Sequence, residues 1–141
     1  EDIIKIINNY NIQNLIIGSD AIFTIDSWIE KIKVNKRGIK YHSSKDKIFP
    51  NPFWVPFYNK INNKFSFFYL SPSCQSSLYK FWSLSEKRKM KECLSHASFI
   101  SSRDKYTSLM LQHLLDSRKT IPLTPDPVWG FNLNVKNLPS L

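Results

Sequence analysis

"FYNKINNKFSFFYL", residues 57–70, decides how this chain is built. Phe65, Phe67 and Tyr69 fall on one side of an extended chain and Phe68 and Leu70 on the other, the two-residue period of a strand. Asparagine tolerates positive φ, so Asn62 and Asn63 read as the turn of an antiparallel hairpin with strands over 57–61 and 64–70. The wider stretch 49–70 holds nine aromatic residues, three prolines and no acid. Pro50, Pro52 and Pro56 each remove a ladder donor, which excludes an interior strand over 49–56.

Working outward, Ile3, Ile6, Ile7 and Tyr10 recur at helical spacing, and "NLIIG" reads as a buried strand ending at Gly18. Ile22, Ile25, Trp28, Ile29 and Ile32 recur at three and four, which predicts a second helix from Ser19 to about Val34, stopped at Gly38. "IKYHS" alternates as a strand. Leu78, Phe81 and Trp82 suit a short helix. Ser83 with Glu86 and Ser101 with Asp104 have the spacing of capping boxes, and predict helices over about 84–100 and 102–118. Met90, Cys93, Leu94 and Ala97 line the first, and Tyr106, Leu109, Met110, His113 and Leu114 the second, as in a helical hairpin with a shared seam. The tail beyond residue 120 lacks a helical period and is spaced by prolines, with a short strand expected at Phe131, Leu133 and Val135. The expectation is an α+β, helix-dominated fold. It has a helical hairpin (about 84–118), a small β-hairpin and extended proline-rich arms at 44–58 and 120–141, in a single domain spanning 1–141.

The 141 residues carry a formal charge of +9, a balance that recruits polyanions such as nucleic acid or an anionic membrane. Sixteen Ile, sixteen Lys and twelve Asn stand against two Ala and four Arg, a skew that AT-rich codons produce. Part of the lysine content therefore reflects codon usage, and the skew points to an AT-rich genome, that of an organelle or of certain protists and viruses, with a mitochondrial location preferred. No apolar run reaches the roughly 18 residues that mark a membrane span, because Asp20 and Asp26 interrupt the longest one. The opening "EDIIKIINNY" is neither Arg-rich nor followed by a small-residue cleavage site, so the chain reads as a processed product or a piece of a longer one.

Lys80, Lys87 and Lys91 share one helical face with Arg88 and Lys89 beside them, which makes this cluster the first candidate for RNA phosphates. The bland alternative is a solvated helix face. Lys45, Lys47, Lys60 and Lys64 interleave with Trp54, Phe57, Tyr58 and Phe65 as a stacking platform does. Leaving all those rings in water would invite aggregation, so most are expected to anchor the chain, with Phe53, Trp54, Phe57, Tyr58, Trp129 and Phe131 assigned to neighbouring proteins. Cys93 and His96 lie three apart on one helix, with Cys74 and His113 available to complete a Cys2His2 set. Lone Cys and His on apolar helix faces are more often packed structural groups, and no metal is expected. His42, His96 and His113 offer bases, but no nucleophile elbow, paired-acid motif or glycine-rich phosphate loop is present. No catalytic residue and no cofactor is expected.

The reading these features support is a structural, RNA-contacting subunit of a large ribonucleoprotein, in its most specific form a mitochondrial ribosomal protein. Its partners would be rRNA or other structured RNA and neighbouring subunits. The alternative is a peripheral accessory subunit of a mitochondrial respiratory membrane complex, its lysines facing anionic headgroups. An enzyme using Cys93 and His96 is a third, formal possibility.

Overall fold

The computed structural model describes residues 3–18, 20–41, 47–61, 64–116 and 120–127. In chain order these form α1 (Ile3–Asn9), β1 (Asn14–Gly18), β2 (Ile32–Asn35), β3 (Gly38–Tyr41), β4 (Ser66–Leu70), α2 (Leu84–Ser95), β5 (Phe99–Ile100) and α3 (Lys105–Leu115). Tight 3-10 turns lie at Pro52–Trp54, Tyr58–Lys60 and Tyr79–Phe81.

β4 is the centre of a three-stranded sheet of order β1-β4-β5, parallel throughout. This overturns the helix-dominated α+β expectation: the chain is mixed α/β with a parallel sheet. The predicted hairpin over 57–70 is not formed. Val55 takes a left-handed φ of 51° ahead of Pro56. Residues 57–61 then close 3-10 bonds, Lys60 N–H to the Phe57 carbonyl at 2.8 Å and Ile61 N–H to that of Tyr58 at 3.2 Å. β1 takes one edge of β4 and β5 takes the other.

The expected helical hairpin is corrected in the same way. α2 and α3 both form and pack on each other, but β5 lies between them and joins the sheet, so they belong to a β-α-β-α run. Ser83 and Glu86 do make the capping box, with Glu86 N–H donating to Ser83 Oγ at 3.1 Å and Ser83 N–H to Glu86 Oε2 at 3.0 Å. The second box does not form, because Asp104 is itself the N-cap of α3 and Ser101 is buried at the end of β5.

The helix expected over 19–34 is absent. Phe23, Ile25 and Ser27 are buried in alternation, the signature of an extended segment. Ser77 Oγ accepts from Ile25 N–H at 3.1 Å, and Trp82 Nε1 donates to the Ile25 carbonyl at 3.1 Å. From Ile32 the chain enters β2, which pairs with β3 as an antiparallel ribbon joined by the two-residue turn Lys36-Arg37.

One face of the parallel sheet carries Leu15 beside Phe67 and then Ile17, Tyr69 and Ile100 in a row. Phe67 and Tyr69 are fully buried in one core with Met90, Leu94, Met110 and Leu111 of the helices. Phe23 and Trp54 complete it, with ring centroids 4.6 Å apart, and Phe23 is 5.0 Å from Tyr69. The other face carries Ile16, Phe68 and Phe99 with Leu70; its edges are exposed, Ile16 at 67% and Phe99 at 43%, while Phe68 and Leu70 at its centre are half-buried. At Gly18 an added Cβ would sit 2.9 Å from the Leu70 carbonyl oxygen, so glycine is what lets β1 approach β4 there.

The arm reading of 44–58 fails for its described part, since Trp54, Val55 and Phe57 are core residues. Of the second arm, Ile121 is buried and Leu123 bridges Ser102. The strand expected at Phe131, Leu133 and Val135 lies outside the described residues.

Replacing Trp54 by Ala removes a fully buried indole and is expected to cost about 3–5 kcal/mol of stability in urea unfolding. Phe53→Ala, at a side chain 51% exposed, should fall within about 0.5 kcal/mol of the parent. An outward-facing Trp54 would make the two variants alike.

Candidate polyanion-binding surface

The described cations concentrate on two elements. α2 begins at its capping box and turns Met90, Cys93 and Leu94 into the core, which leaves Arg88, Lys89 and Lys91 in solvent. Lys87 Nζ donates to the Lys80 carbonyl at 2.9 Å, which holds two of the expected cations together. Lys87, Arg88 and Lys91 border a shallow cleft shared with His113 of α3. Lys91 is ion-paired with Asp116, and its hydrogen bond holds that exposed carboxyl below the usual range. Lys80, Lys87 and Arg88 are therefore the stronger part of the expected cluster, with Lys91 already countered.

Lys89 points elsewhere. It lines a separate cleft of 230 Å³ with Tyr58, Cys93 and His96, walled on the far side by Phe49 and Pro50. Tyr58 and His96 are stacked there, with centroids 4.5 Å apart and planes 14° from parallel. Lys60 and Lys64 are exposed. Of the rings assigned to a platform or to partner proteins, Trp54 and Phe57 are buried within this chain, Tyr58 is half-buried and Phe53 is exposed. Lys45, Trp129 and Phe131 lie outside the described residues.

Cys93 and His96 thus share a cleft, but burial raises the Cys93 thiol above its ordinary range, which keeps it a poor nucleophile. Cys74 is buried against Thr107, and burial pushes its thiol up to about 11, while His113 packs on Tyr79. Among the described residues no three His, Cys, Asp or Glu side chains converge as a metal site. No helix among them is long and apolar enough to cross a membrane.

The second cationic element is the β2-β3 ribbon, of which sequence reasoning read only the second strand and none of the cations. Its strands pair Lys33 with Lys40, and Lys36 and Arg37 form the turn. The ribbon's base reaches α2 through Lys31, whose Nζ lies 4.0 Å from Glu86 Oε1. The alternation after Gly38 was read as a strand; that before it, over Ile32–Asn35, was obscured by the three-four spacing of the isoleucines.

At the carboxyl ends of the parallel strands a polar cluster ties three loops together. Ser71, at φ 55°, places its Oγ 2.7 Å from both Thr124 Oγ1 and the Pro125 carbonyl. Ser73 N–H donates to the Asp20 carbonyl at 2.9 Å. Asp104 accepts from Thr107 N–H at 2.8 Å, Thr107 Oγ1 at 2.8 Å and Ser73 Oγ at 2.9 Å. Burial would raise this carboxyl, but the bonds from Thr107, Ser73 and the Tyr106 backbone outweigh it and hold the group below its ordinary 3.8.

Comparison with protein-family models, curated proteins and solved structures finds no match to this chain.

A carboxyl whose folded pKa is depressed adds stability above its unfolded pKa and loses it as pH falls through the folded one. Asp104→Ala should therefore cost about 0.5–2 kcal/mol near neutral pH, as loss of an N-cap does. Urea unfolding followed downward in pH should show that gap closing below about pH 4.

Proposed function

We propose that the chain is a structural subunit that contacts structured RNA within a larger assembly, through Lys80, Lys87, Arg88, Lys89 and Lys91, with Lys60 and Lys64 as outlying contacts. One observation carries the reading. α2 holds its cations in solvent on a rigid, capped helix, side by side with Lys80 through the bond from Lys87. Phosphates spaced along a folded RNA would be neutralised there with release of counterions, a sequence-independent form of affinity. The AT-rich codon skew fits an organellar particle such as a mitochondrial ribosome. Tyr58 and His96, stacked beside Lys89, add a planar surface on which an unpaired base could rest.

A second reading draws support from left-handed Ser71 and from the meeting of three loops at the carboxyl ends of parallel strands. Open α/β sheets take small ligands at that edge. Arg103, paired with Asp126 at 3.3 Å, would be the anion-binding group. This support is an analogy of fold, since most of the polar groups in the cluster already satisfy one another.

Binding of a fluorescent RNA hairpin, titrated with salt, tests the first reading. The chain should bind at low salt, and Lys87→Gln with Arg88→Gln should lower the slope of log affinity against log salt by about 2. Absence of low-salt binding removes the proposal. For the second reading, melting temperature measured against a panel of small phosphates should rise with ligand concentration in the parent and not in Arg103→Ala. No rise with any of them excludes it.

A further inference from the structure

We infer that the β2-β3 ribbon is a docking element for an anionic lipid surface, a role beyond the RNA reading and independent of the α2 cluster. The pairing Ile32 with Tyr41 and Val34 with Ile39 puts four apolar side chains on one face of the ribbon. They are 41%, 73%, 76% and 75% exposed respectively. Lys33 and Lys40 stand directly opposite each other on the other face, and Lys36 and Arg37 cap the tip. Among the described residues none forms an ion pair with Lys33, Lys36, Arg37 or Lys40, and the stretch 31–41 contains no acid.

The arrangement is unfavourable for a ribbon surrounded only by water. Like charges placed opposite each other across two strands repel, and an isolated two-stranded ribbon is marginal without something against its apolar face. Each class of partner relieves a different part of this. A nucleic acid would neutralise the lysines and leave Ile32, Val34, Ile39 and Tyr41 wet. A protein surface would cover the apolar face and leave Lys33 facing Lys40.

An anionic bilayer covers the apolar face and adds a negative surface potential that extends past it, which lowers the cost of the Lys33–Lys40 pair without touching it. The apolar face enters the boundary between headgroups and acyl chains, with Tyr41 suited to that depth. Lys33 and Lys40 on the outer face point away from the membrane and stand about a Debye length from it, where its surface charge is weakened but still felt. Their long stems also let the ammonium groups bend toward the phosphates. Trp28, 58% exposed and four residues before β2, supplies a second interfacial aromatic. The base of the ribbon is held by Lys31 N–H to the Ser27 carbonyl and Ile32 N–H to that of Ile29, both 3.2 Å, so docking needs no rearrangement of the core.

The test is sedimentation of the full chain with vesicles of phosphatidylcholine, with and without phosphatidylserine. The parent should sediment with the anionic vesicles, weakly with the neutral ones, and less as salt rises. Val34→Thr with Ile39→Thr keeps both positions β-branched and should weaken binding at least tenfold while leaving the thermal melt unchanged. Lys33→Gln with Lys40→Gln, at about a Debye length from the surface, should weaken it about threefold. Lys87→Gln with Arg88→Gln should leave vesicle binding intact, so failure here and failure of the RNA reading are separately visible. The inference is overturned by absence of vesicle binding at low salt, or by equal binding of the parent and the Val34/Ile39 variant. Binding of an RNA duplex through Lys33 and Lys40 in place of vesicles overturns it as well.

Discussion

The inward row of β4 is the constraint on which the rest of the structure depends. Phe67 and Tyr69 are fully buried, and each such side chain contributes about 1.5–3 kcal/mol relative to exposure. Parallel partners cannot be joined by a tight turn, so β1 and β4 need a long connection, and that connection must be held down. The aromatic contacts do this. Phe23 from the start of the connection packs on Tyr69, Trp54 from its later part packs on Phe23, and the Tyr69 hydroxyl donates to the Phe53 carbonyl at 2.8 Å. The density of rings over 49–70 is thus explained inside the molecule: most of them anchor the crossover on its own sheet.

What could be read locally was read well. Strand β1 is a short apolar run closed by Gly18, and the capping box of α2 is a contact between residues three apart, so both leave marks in a short window of sequence, although β1, expected to be buried, is an edge strand in which only Ile17 is buried. Parallel pairing leaves no such mark. Whether 64–70 pairs with the segment before it or with "NLIIG" far upstream depends on which neighbour completes the core, and that is a non-local property. Asp104 shows the limit at single-residue scale. Its spacing from Ser101 fits a box, yet the buried end of β5 takes Ser101 and leaves Asp104 to cap α3 alone.

The candidate surface was half legible for the same reason. Lys80, Lys87, Arg88, Lys89 and Lys91 were identified because a helix period predicts which cations share a face. The structure still separates Lys89 from the others and counters Lys91 with Asp116. Lys33, Lys36, Arg37 and Lys40 were not singled out, because a helix over 19–34 separates the first from the rest. Once that segment is extended, the same residues become the ribbon's outer face and tip.

The two exposed apolar patches bear on how the net charge should be understood. A parallel sheet is ordinarily covered on both sides, yet Ile16 and Phe99 flank a half-buried Phe68 as exposed apolar side chains, and the ribbon adds Val34 and Ile39. Surfaces of this kind drive chains together, and a charge of +9 opposes that by mutual repulsion whatever else the lysines do. Charge in excess is therefore explained by colloidal need and codon usage before any ligand is invoked. Information about a partner lies instead in the placement of cations against the physics of the fold. Lys33 facing Lys40 on a ribbon that carries bare isoleucine and valine on its other side is such a placement, since repulsion alone would be served better by lysines kept apart.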